Sequence, residues 1–291
     1  MSDHAKGLLI TALGVLAIVP DTLLIRLIDE PHMTVVFWRA SLAAAVILTG
    51  VLLVHRGATP RVLRGLGRGG AVYAALVGTA NVLFVLAVQL TTVANAVFIL
   101  TVSPVFAALI SRVVLGERLS LRMAVTIALS ILAVGVIALA SLALGGEALL
   151  GDLCALGAAF GLAGALTAAR ASRHVSMVPA AGVAYVLTTL VALPFAAPLA
   201  LAGDAWVYAL ILGGICVPLG TSLMALGPRY IPSAEVSLLL LLEAVFAPVL
   251  VWAVLGEDPG ETTLAGGAML IAVLAVSNLV ALRRAGRGAA A

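Results

Sequence analysis

The sequence predicts an all-α membrane protein with ten transmembrane helices in two five-helix repeats of opposite topology. Three observations predict this fold. Apolar residues make up 63% of the 291 residues and charged residues 10%, and the mean hydropathy is +1.24. A soluble domain of this length needs far more charge to cover its surface. The apolar residues also form long runs along the whole chain, and one segment occurs twice.

A helix needs about 20 mostly apolar residues to cross a bilayer. Ten stretches meet this requirement, and we number them spans 1 to 10: roughly residues 7–26, 33–54, 70–89, 93–115, 120–142, 151–170, 179–201, 205–226, 233–254 and 262–282. Clusters of turn-forming residues separate them, including Gly57-Ala58-Thr59-Pro60 and Gly227-Pro228. The connections are short, so no soluble domain is expected.

The distribution of basic residues predicts the orientation. With both termini in the cytoplasm, fourteen basic residues lie inside and only Arg26 and Arg39 lie outside. Acidic residues collect in the outer loops, among them Asp152 and Glu257. We therefore expect a multi-pass protein of a bacterial-type inner membrane, with its N- and C-termini cytoplasmic.

The repeated segment divides the chain. Residues 105–117 recur 140 residues later as residues 245–257, with seven of thirteen positions identical. The halves are predicted as residues 1–144 and 145–291. Each half has five spans, an odd number, so the second half enters the membrane upside down. Inverted repeats of this kind enclose a midplane substrate site in many transporters.

Several motifs resemble the EamA-type members of the drug/metabolite transporter superfamily. They are Phe37-Trp38-Arg39-Ala40, Ser103-Pro104-Val105-Phe106 leading to Leu115-Gly116-Glu117, and Glu243-Ala244-Val245-Phe246 leading to Leu255-Gly256-Glu257. The chain departs from the family where a Glu-Pro pair is common in span 9, since Ala244 follows Glu243. It departs again where Val19-Pro20 replaces a frequent Trp-Gly in span 1. The resemblance implies export of small metabolites or amino acids, and the nearest branch is the YddG-like exporters of aromatic and neutral amino acids.

Glu243 is the strongest candidate for a substrate-binding residue. An ionised carboxylate at the centre of a membrane helix costs at least a few kcal/mol, so it must face a cavity, find a partner or stay protonated. It is interpreted as a contact for a substrate ammonium group or as a proton carrier. The alternative is a protonated side chain that holds neighbouring helices together.

Two further charged residues and four prolines are candidates for gating or ion coupling. Pro20 should kink span 1 beside Asp21, which is either a site residue or a partner of Arg26 or Arg39. Arg39 either binds a substrate carboxylate or, as we favour, pairs with an acid near the membrane edge. Pro104, Pro218 and Pro248 lie near the middle of spans 4, 8 and 9, at the depth where broken helices line transporter cavities.

A small polar lining is predicted from repeat-equivalent positions. Asn81 matches Thr221, and Ser103 matches Glu243. These residues are expected either to bind a zwitterion or to hold helices together by hydrogen bonds. Tyr185 is a candidate hydrogen-bonding wall, and Phe106 and Phe246 are candidates for packing or substrate contact. The glycines of span 6, Gly157, Gly161 and Gly164, are typical of close helix packing.

The sequence has no nucleotide-binding loop, metal-ligand spacing or catalytic set of side chains. We therefore expect no enzyme activity, no cofactor, no metal and no nucleic-acid partner. The expected function is export of amino acids or similar metabolites by a monomer, by alternating access through a cavity lined by spans 1, 3, 4, 6, 8 and 9. The alternative is a proton-coupled exporter of drugs or quaternary cations. A channel is disfavoured because no continuous polar stripe is present.

Overall fold

Every regular element in the computed structural model is a helix; it describes residues 3–115, 121–172, 175–226, 230–231 and 233–289. In those residues, nine helical segments are long and apolar enough to cross a membrane, and Leu239–Leu255 forms a shorter apolar one. The predicted all-α membrane fold is therefore confirmed. Two sequence motifs, Gly116-Glu117 and Gly227-Pro228, lie outside the described residues.

Span 1 comprises α1 (Asp3–Ile18) and α2 (Asp21–Leu27), and span 2 is α3 (His32–His55). A short helix, α4 (Thr59–Gly65), precedes span 3, which is α5 (Gly67–Leu90). Span 4 comprises α6 (Val93–Leu100) and α7 (Ser103–Leu115), and span 5 is α8 (Leu121–Leu144). The second half contains α9 (Gly146–Ala171), α10 (Val178–Ala192), α11 (Ala205–Ile211), α12 (Val217–Leu226), α13 (Ser233–Leu255) and α14 (Glu261–Ala289).

Three of the four prolines lie where the regular α-helix of their span is interrupted, although span 8 stays helical from Ala205 to Leu226. Pro20 stands between α1 and α2, and Pro104 is the second residue of α7, directly after a turn. Pro218 follows the π-helical segment Leu212–Cys216 that joins α11 to α12. Each proline lacks the N–H group that would continue the preceding helix. Backbone hydrogen bonds continue beyond two of them, from the Leu24 N–H group to the Pro20 carbonyl oxygen and from the Phe106 N–H group to the Val102 carbonyl oxygen.

Two expectations about the helices were wrong. Pro248 does not break its span, since α13 continues through it; neighbouring groups in a membrane bundle tolerate such a proline. Span 7 is shorter than residues 179–201, because α10 ends at Ala192 and two 3₁₀ turns follow, Leu193–Phe195 and Pro198–Ala200. Pro194 and Pro198 lie at the starts of these turns, and neither has an N–H group to continue a helix.

The glycines of α9 bring it close to α5. A Cβ atom placed on Gly161 would lie 3.1 Å from the Leu76 carbonyl oxygen and 3.1 Å from Ala80 Cβ. On Gly157 and Gly164 it would lie 2.8 Å from Leu83 Cδ1 and 2.9 Å from Leu76 Cδ1. The predicted close packing is confirmed. Cys154 and Cys216 are buried and free, which agrees with a packing role.

The two ends of the bundle differ in charge. The starts of α3, α6, α9, α11 and α14 lie at one end, which we call the acidic end. Its acids are Asp29 and Glu30 before α3, Asp204 before α11, and Glu257 and Asp258 before α14. The opposite end, called the basic end, includes α4 and its neighbouring turns, with Arg56, Arg61 and Arg64. The site described below lies between them.

Candidate functional site

An ion pair that is buried inside the bundle forms the centre of the site. Arg39 Nε donates to Asp21 Oδ1 at 2.9 Å, and Nη2 donates to Asp21 Oδ2 at 2.6 Å. Only 3% of Arg39 and 1% of Asp21 is exposed. The break at Pro20 makes Asp21 the first residue of α2, so its carboxylate leaves the helix start and meets Arg39 on α3. Such a bidentate pair fixes both side chains.

Three side chains from other helices surround this pair. Arg39 Nη1 donates to Asn81 Oδ1 on α5 at 3.3 Å. The ring of Phe84, one turn further along α5, lies 5.8 Å from the Arg39 guanidinium carbon. Tyr185 on α10 is within electrostatic range of Arg39, and its hydroxyl lies 3.0 Å from Thr221 Oγ1 on α12.

The amide nitrogen of Asn81 lacks a partner. Its Nδ2 atom is shielded from solvent and makes no hydrogen bond of normal geometry, although the Tyr185 side chain lies near enough to interact with Asn81. A buried donor of this kind costs about 1–3 kcal/mol when it is left unsatisfied. Asn81 therefore presents a free donor beside a guanidinium group, an arrangement suited to a carboxylate.

Glu243 on α13 is the second acid of the site. Asp21 and Arg39 both act on it electrostatically. Glu243 is only partly buried, and among the described residues it has neither a hydrogen bond nor an ion-pair partner. Because the positive charge of Arg39 is already paired with Asp21, Glu243 is the free carboxyl group of the site.

The structure thus brings together six of the predicted residues: Asp21, Arg39, Asn81, Tyr185, Thr221 and Glu243. We call them the central cluster. They come from spans 1, 2, 3, 7, 8 and 9. Spans 2 and 7, which are not among the predicted cavity helices, contribute cluster residues, whereas the predicted spans 4 and 6 do not.

The remaining candidates lie apart from the cluster or at its edge. Ser103 is buried at the start of α7, between Val102 and Val105 of a separate apolar cluster. The ring of Phe106 packs edge-to-face on Phe160 of α9, with centroids 5.7 Å apart. Phe246 lies one turn after Glu243 on α13 and is 47% exposed.

Arg39 is buried inside the bundle and does not reach its surface. The residue sits two turns inside α3, and its guanidinium is buried among α2, α5 and α10. Its preferred role, pairing with an acid, is confirmed with Asp21 as that acid. Aromatic residues before Arg39, namely Phe37 and Trp38, instead occupy the acidic end, where Trp38 Nε1 donates to the Pro198 carbonyl oxygen at 3.1 Å.

A second buried polar group was missed by sequence reasoning. Asp152 was expected in an outer loop, but it lies inside α9 and is 3% exposed. Thr91 Oγ1 donates to its Oδ1 at 3.0 Å, and Asn95 Nδ2 lies 3.4 Å from the same atom. Asn95 joins two further residues to this group: its Nδ2 donates to Ser141 Oγ at 2.7 Å, and its Oδ1 accepts from Thr263 Oγ1 at 2.8 Å. Asn95, Asp152 and Thr263 each lie near the start of a predicted span, in spans 4, 6 and 10. This shared position is the sequence feature that could have predicted the group.

The two halves of the chain are tied together at the acidic end. Arg26 Nε lies 3.2 Å from Glu257 Oε2, and Nη2 donates to the Thr91 carbonyl oxygen at 2.7 Å. Glu257 Oε1 accepts from the Val93 N–H group at 2.7 Å, which places an anion at the start of α6, as the helix dipole favours. We call Arg26, Glu257 and the start of α6 the latch.

An apolar groove of about 610 Å³ lies between α3, α10 and α12. Pro218, Leu219 and Ser222, which flank Thr221, form one part of its wall. His55 and Ser176 mark the part nearest the basic end. The groove therefore extends from the level of the central cluster toward that end.

Comparisons with known proteins agree with this architecture. The model of the EamA-like transporter family matches the chain twice, over residues 5–139 and 149–279. The chain belongs to the EamA-like transporter family. This EamA-like protein is thus a membrane transporter of small molecules.

One solved crystal structure resembles this EamA-like transporter over 96% of its chain and 99% of the other, with a TM-score of 0.65 and 20% identity. This likeness shows the shared fold alone. A search of the curated proteins finds no match.

Proposed function

We propose that this transporter exports neutral or aromatic amino acids, or similar small metabolites, by alternating access. The two halves, residues 1–144 and 145–291, move about the central cluster. The protein works as a monomer in a bacterial-type inner membrane, with both termini cytoplasmic. In this proposal it acts as the YddG-like exporters do.

The free carboxyl group of Glu243 is the observation on which the proposal depends. It lies within electrostatic reach of a buried, fully paired Arg39. A zwitterion has a carboxylate and an ammonium group a few ångströms apart. The Asn81 Nδ2 group supplies a donor for the carboxylate, and Glu243 supplies the anion for the ammonium group.

The surrounding side chains favour a substrate with an apolar or aromatic body. Phe84 lies on the Arg39 guanidinium, and Phe246 is partly exposed one turn after Glu243. Aromatic rings bind apolar and aromatic groups through burial and edge-to-face contacts. The groove beside Thr221 supplies an apolar route from the basic end.

The broken helices and the latch supply the moving parts. Pro20 and Pro104 lie at breaks in spans 1 and 4, and Pro218 follows a π-helical segment in span 8, which allows these helices to bend. Pro248 weakens α13 one turn beyond Glu243 without interrupting it. Separation of Arg26 from Glu257 opens the acidic end, while Asp21 and Arg39 hold the centre.

Uptake of a panel of radiolabelled amino acids into liposomes that hold the purified protein tests the proposal. We expect neutral and aromatic amino acids to cross, and the Glu243→Gln variant to lose this activity. Glu147→Gln is the matched control, because Glu147 is an exposed acid at the acidic end. If no amino acid moves with or without a pH gradient, the proposed substrate class is wrong.

One observation favours a second candidate, a proton-coupled exporter of drugs or quaternary cations. Glu243 is a single unpaired carboxyl group among apolar residues, which suffices to bind a lipophilic cation. Under this alternative, proton-driven counterflow of a quaternary ammonium compound depends on Glu243, and removal of the Asn81 amide has no effect. Under the amino-acid proposal, both residues are needed.

A further inference from the structure

Asp152 is a buried acid that the central cluster does not use. It is 3% exposed, and it lies on α9 among side chains from three other helical segments. Its partners are neutral: Thr91, Asn95 and, through Asn95, Ser141 and Thr263. No cation in the described part of the chain pairs with its carboxyl group.

The second oxygen of this carboxyl group has no partner. Asp152 Oδ2 is shielded from solvent and makes no hydrogen bond, whereas Oδ1 faces the Thr91 and Asn95 donors. An ionised carboxylate with one bare oxygen is costly in an apolar interior. The bare oxygen therefore needs a positive species at Oδ2.

A proton suits this position better than a metal ion. Oδ2 has no surface that water can reach, so a hydrated ion has no room. The centre of the group is the Asn95 amide, whose Nδ2 lies within 2.7 Å of Ser141 Oγ and 3.2 Å of Thr91 Oγ1. Sites that bind hard cations surround the ion with oxygen atoms. This group instead has an N–H donor at its centre.

Thr91 joins this acid to the latch. Its hydroxyl donates to Asp152, and its carbonyl oxygen accepts from Arg26, whose other partner is Glu257. Arg26 Nε lies within ion-pair distance of Glu257 but makes no hydrogen bond. Arg26 therefore contacts Glu257 directly and Asp152 only through Thr91.

We propose that Asp152 is a proton-binding site that controls the latch. A proton that enters with water while the acidic end is open forms an O–H bond at Oδ2 and neutralises Asp152, and Arg26 then pairs with Glu257. Loss of that proton to water restores the negative charge, which draws Arg26 away from Glu257 and opens the acidic end. The other acids at this end are Glu30, which is partly buried, and five that are exposed to solvent: Asp29, Glu147, Asp204, Asp258 and Glu261.

This inference rests on the proposed alternating access, but its first test needs no substrate. Infrared difference spectra of the purified protein between neutral and alkaline pH detect the C=O band of a protonated carboxyl group. We expect such a band in the wild type, shifted by isotope-labelled aspartate. We expect it to persist in Glu243→Gln and to vanish in Asp152→Asn. The proposal is wrong if the wild type has no aspartate-sensitive band, or if the band survives in Asp152→Asn.

A distance measurement tests the link to the latch. Spin labels at Asp29→Cys and Glu261→Cys, both exposed at the acidic end, report the separation of the two halves. We expect it to widen as the pH rises in the wild-type background and in Glu147→Gln. In Asp152→Asn, which mimics the neutral acid, it should stay short at every pH. Widening that persists in Asp152→Asn, or that is absent from the wild type, overturns the proposal, whether or not amino acids are transported.

Discussion

Arg39 and Asp21 form a pair whose two members depend on each other. Both are almost completely buried and are joined by two hydrogen bonds. Removal of one member of such a pair leaves an uncompensated charge, which costs about 3–5 kcal/mol. Removal of both members together is much less costly, because no buried charge remains.

Asp21→Asn should therefore lower the free energy of unfolding by about 3–5 kcal/mol, measured by denaturant titration in detergent. The double variant Asp21→Leu, Arg39→Met should recover most of this loss while remaining inactive in transport. If Asp21→Asn is as stable as the wild type, the pair is not isolated from water.

The free amide donor of Asn81 leads to a prediction about substrate choice. Asn81→Ala should weaken binding of amino acids about tenfold, since a hydrogen bond to a charged group contributes about 1.5–3 kcal/mol. Binding of the corresponding amines, which lack the carboxylate, should be unchanged. Competition of each compound against a labelled amino acid measures the difference. Equal losses for both compounds would place Asn81 away from the carboxylate.

The sequence predicted every member of the central cluster, and it offered the pairing of Asp21 with Arg39 as one of two alternatives. Asp21, Arg39 and Glu243 stand out because charge is rare in a membrane span. Asp152 is equally buried, but the sequence placed it at the outer edge because the predicted span 6 begins at residue 151. In the structure α9 begins at Gly146, six residues before Asp152. Six residues of helix correspond to about 9 Å, which is enough to move a side chain from the surface into the bundle.

At the scale of helices, the close contact between α5 and α9 depends on small residues. A side chain at Gly161 would meet the Leu76 carbonyl oxygen and Ala80 Cβ, and neither atom belongs to a long flexible side chain. The contact forms because glycine allows the two helices to approach closely.

Gly161→Val should therefore destabilise the protein by about 1–3 kcal/mol, the usual cost of overpacking, as measured by thermal unfolding in detergent. Gly135→Val is the matched control, since Gly135 lies within α8 and a Cβ atom there meets nothing within 4 Å. Equal effects of the two substitutions would mean that helix propensity, and not packing, sets the cost.

The helix breaks show how far proline predicts local structure. Pro20, Pro104 and Pro218 lie at interruptions, but Pro248 remains within α13. A proline always removes one backbone donor, whereas the path of the chain depends on how neighbouring helices pack against it. The buried Ala244 and Ala247, adjacent to Pro248 on α13, leave room for its ring.

At the scale of the whole molecule, the charge difference between the two ends predicts their placement. Basic connections remain in the cytoplasm, so the acidic end should face outward. A cysteine at Ala58, which is exposed beside α4, should react with an impermeant reagent only from the cytoplasmic side. A cysteine at Asp258 should react only from the outer side. The native cysteines are buried, so they should contribute little background. Labelling of both positions from one side would contradict the predicted topology.

Substrate binding at the central cluster is the main functional claim, and direct binding of a transported amino acid tests it most directly. Calorimetry on the purified protein should show binding to the wild type and to Glu147→Gln with equal affinity. Glu243→Gln should bind at least about tenfold more weakly, a loss of roughly 1.4 kcal/mol. Equal affinity of Glu243→Gln and the wild type would contradict the account.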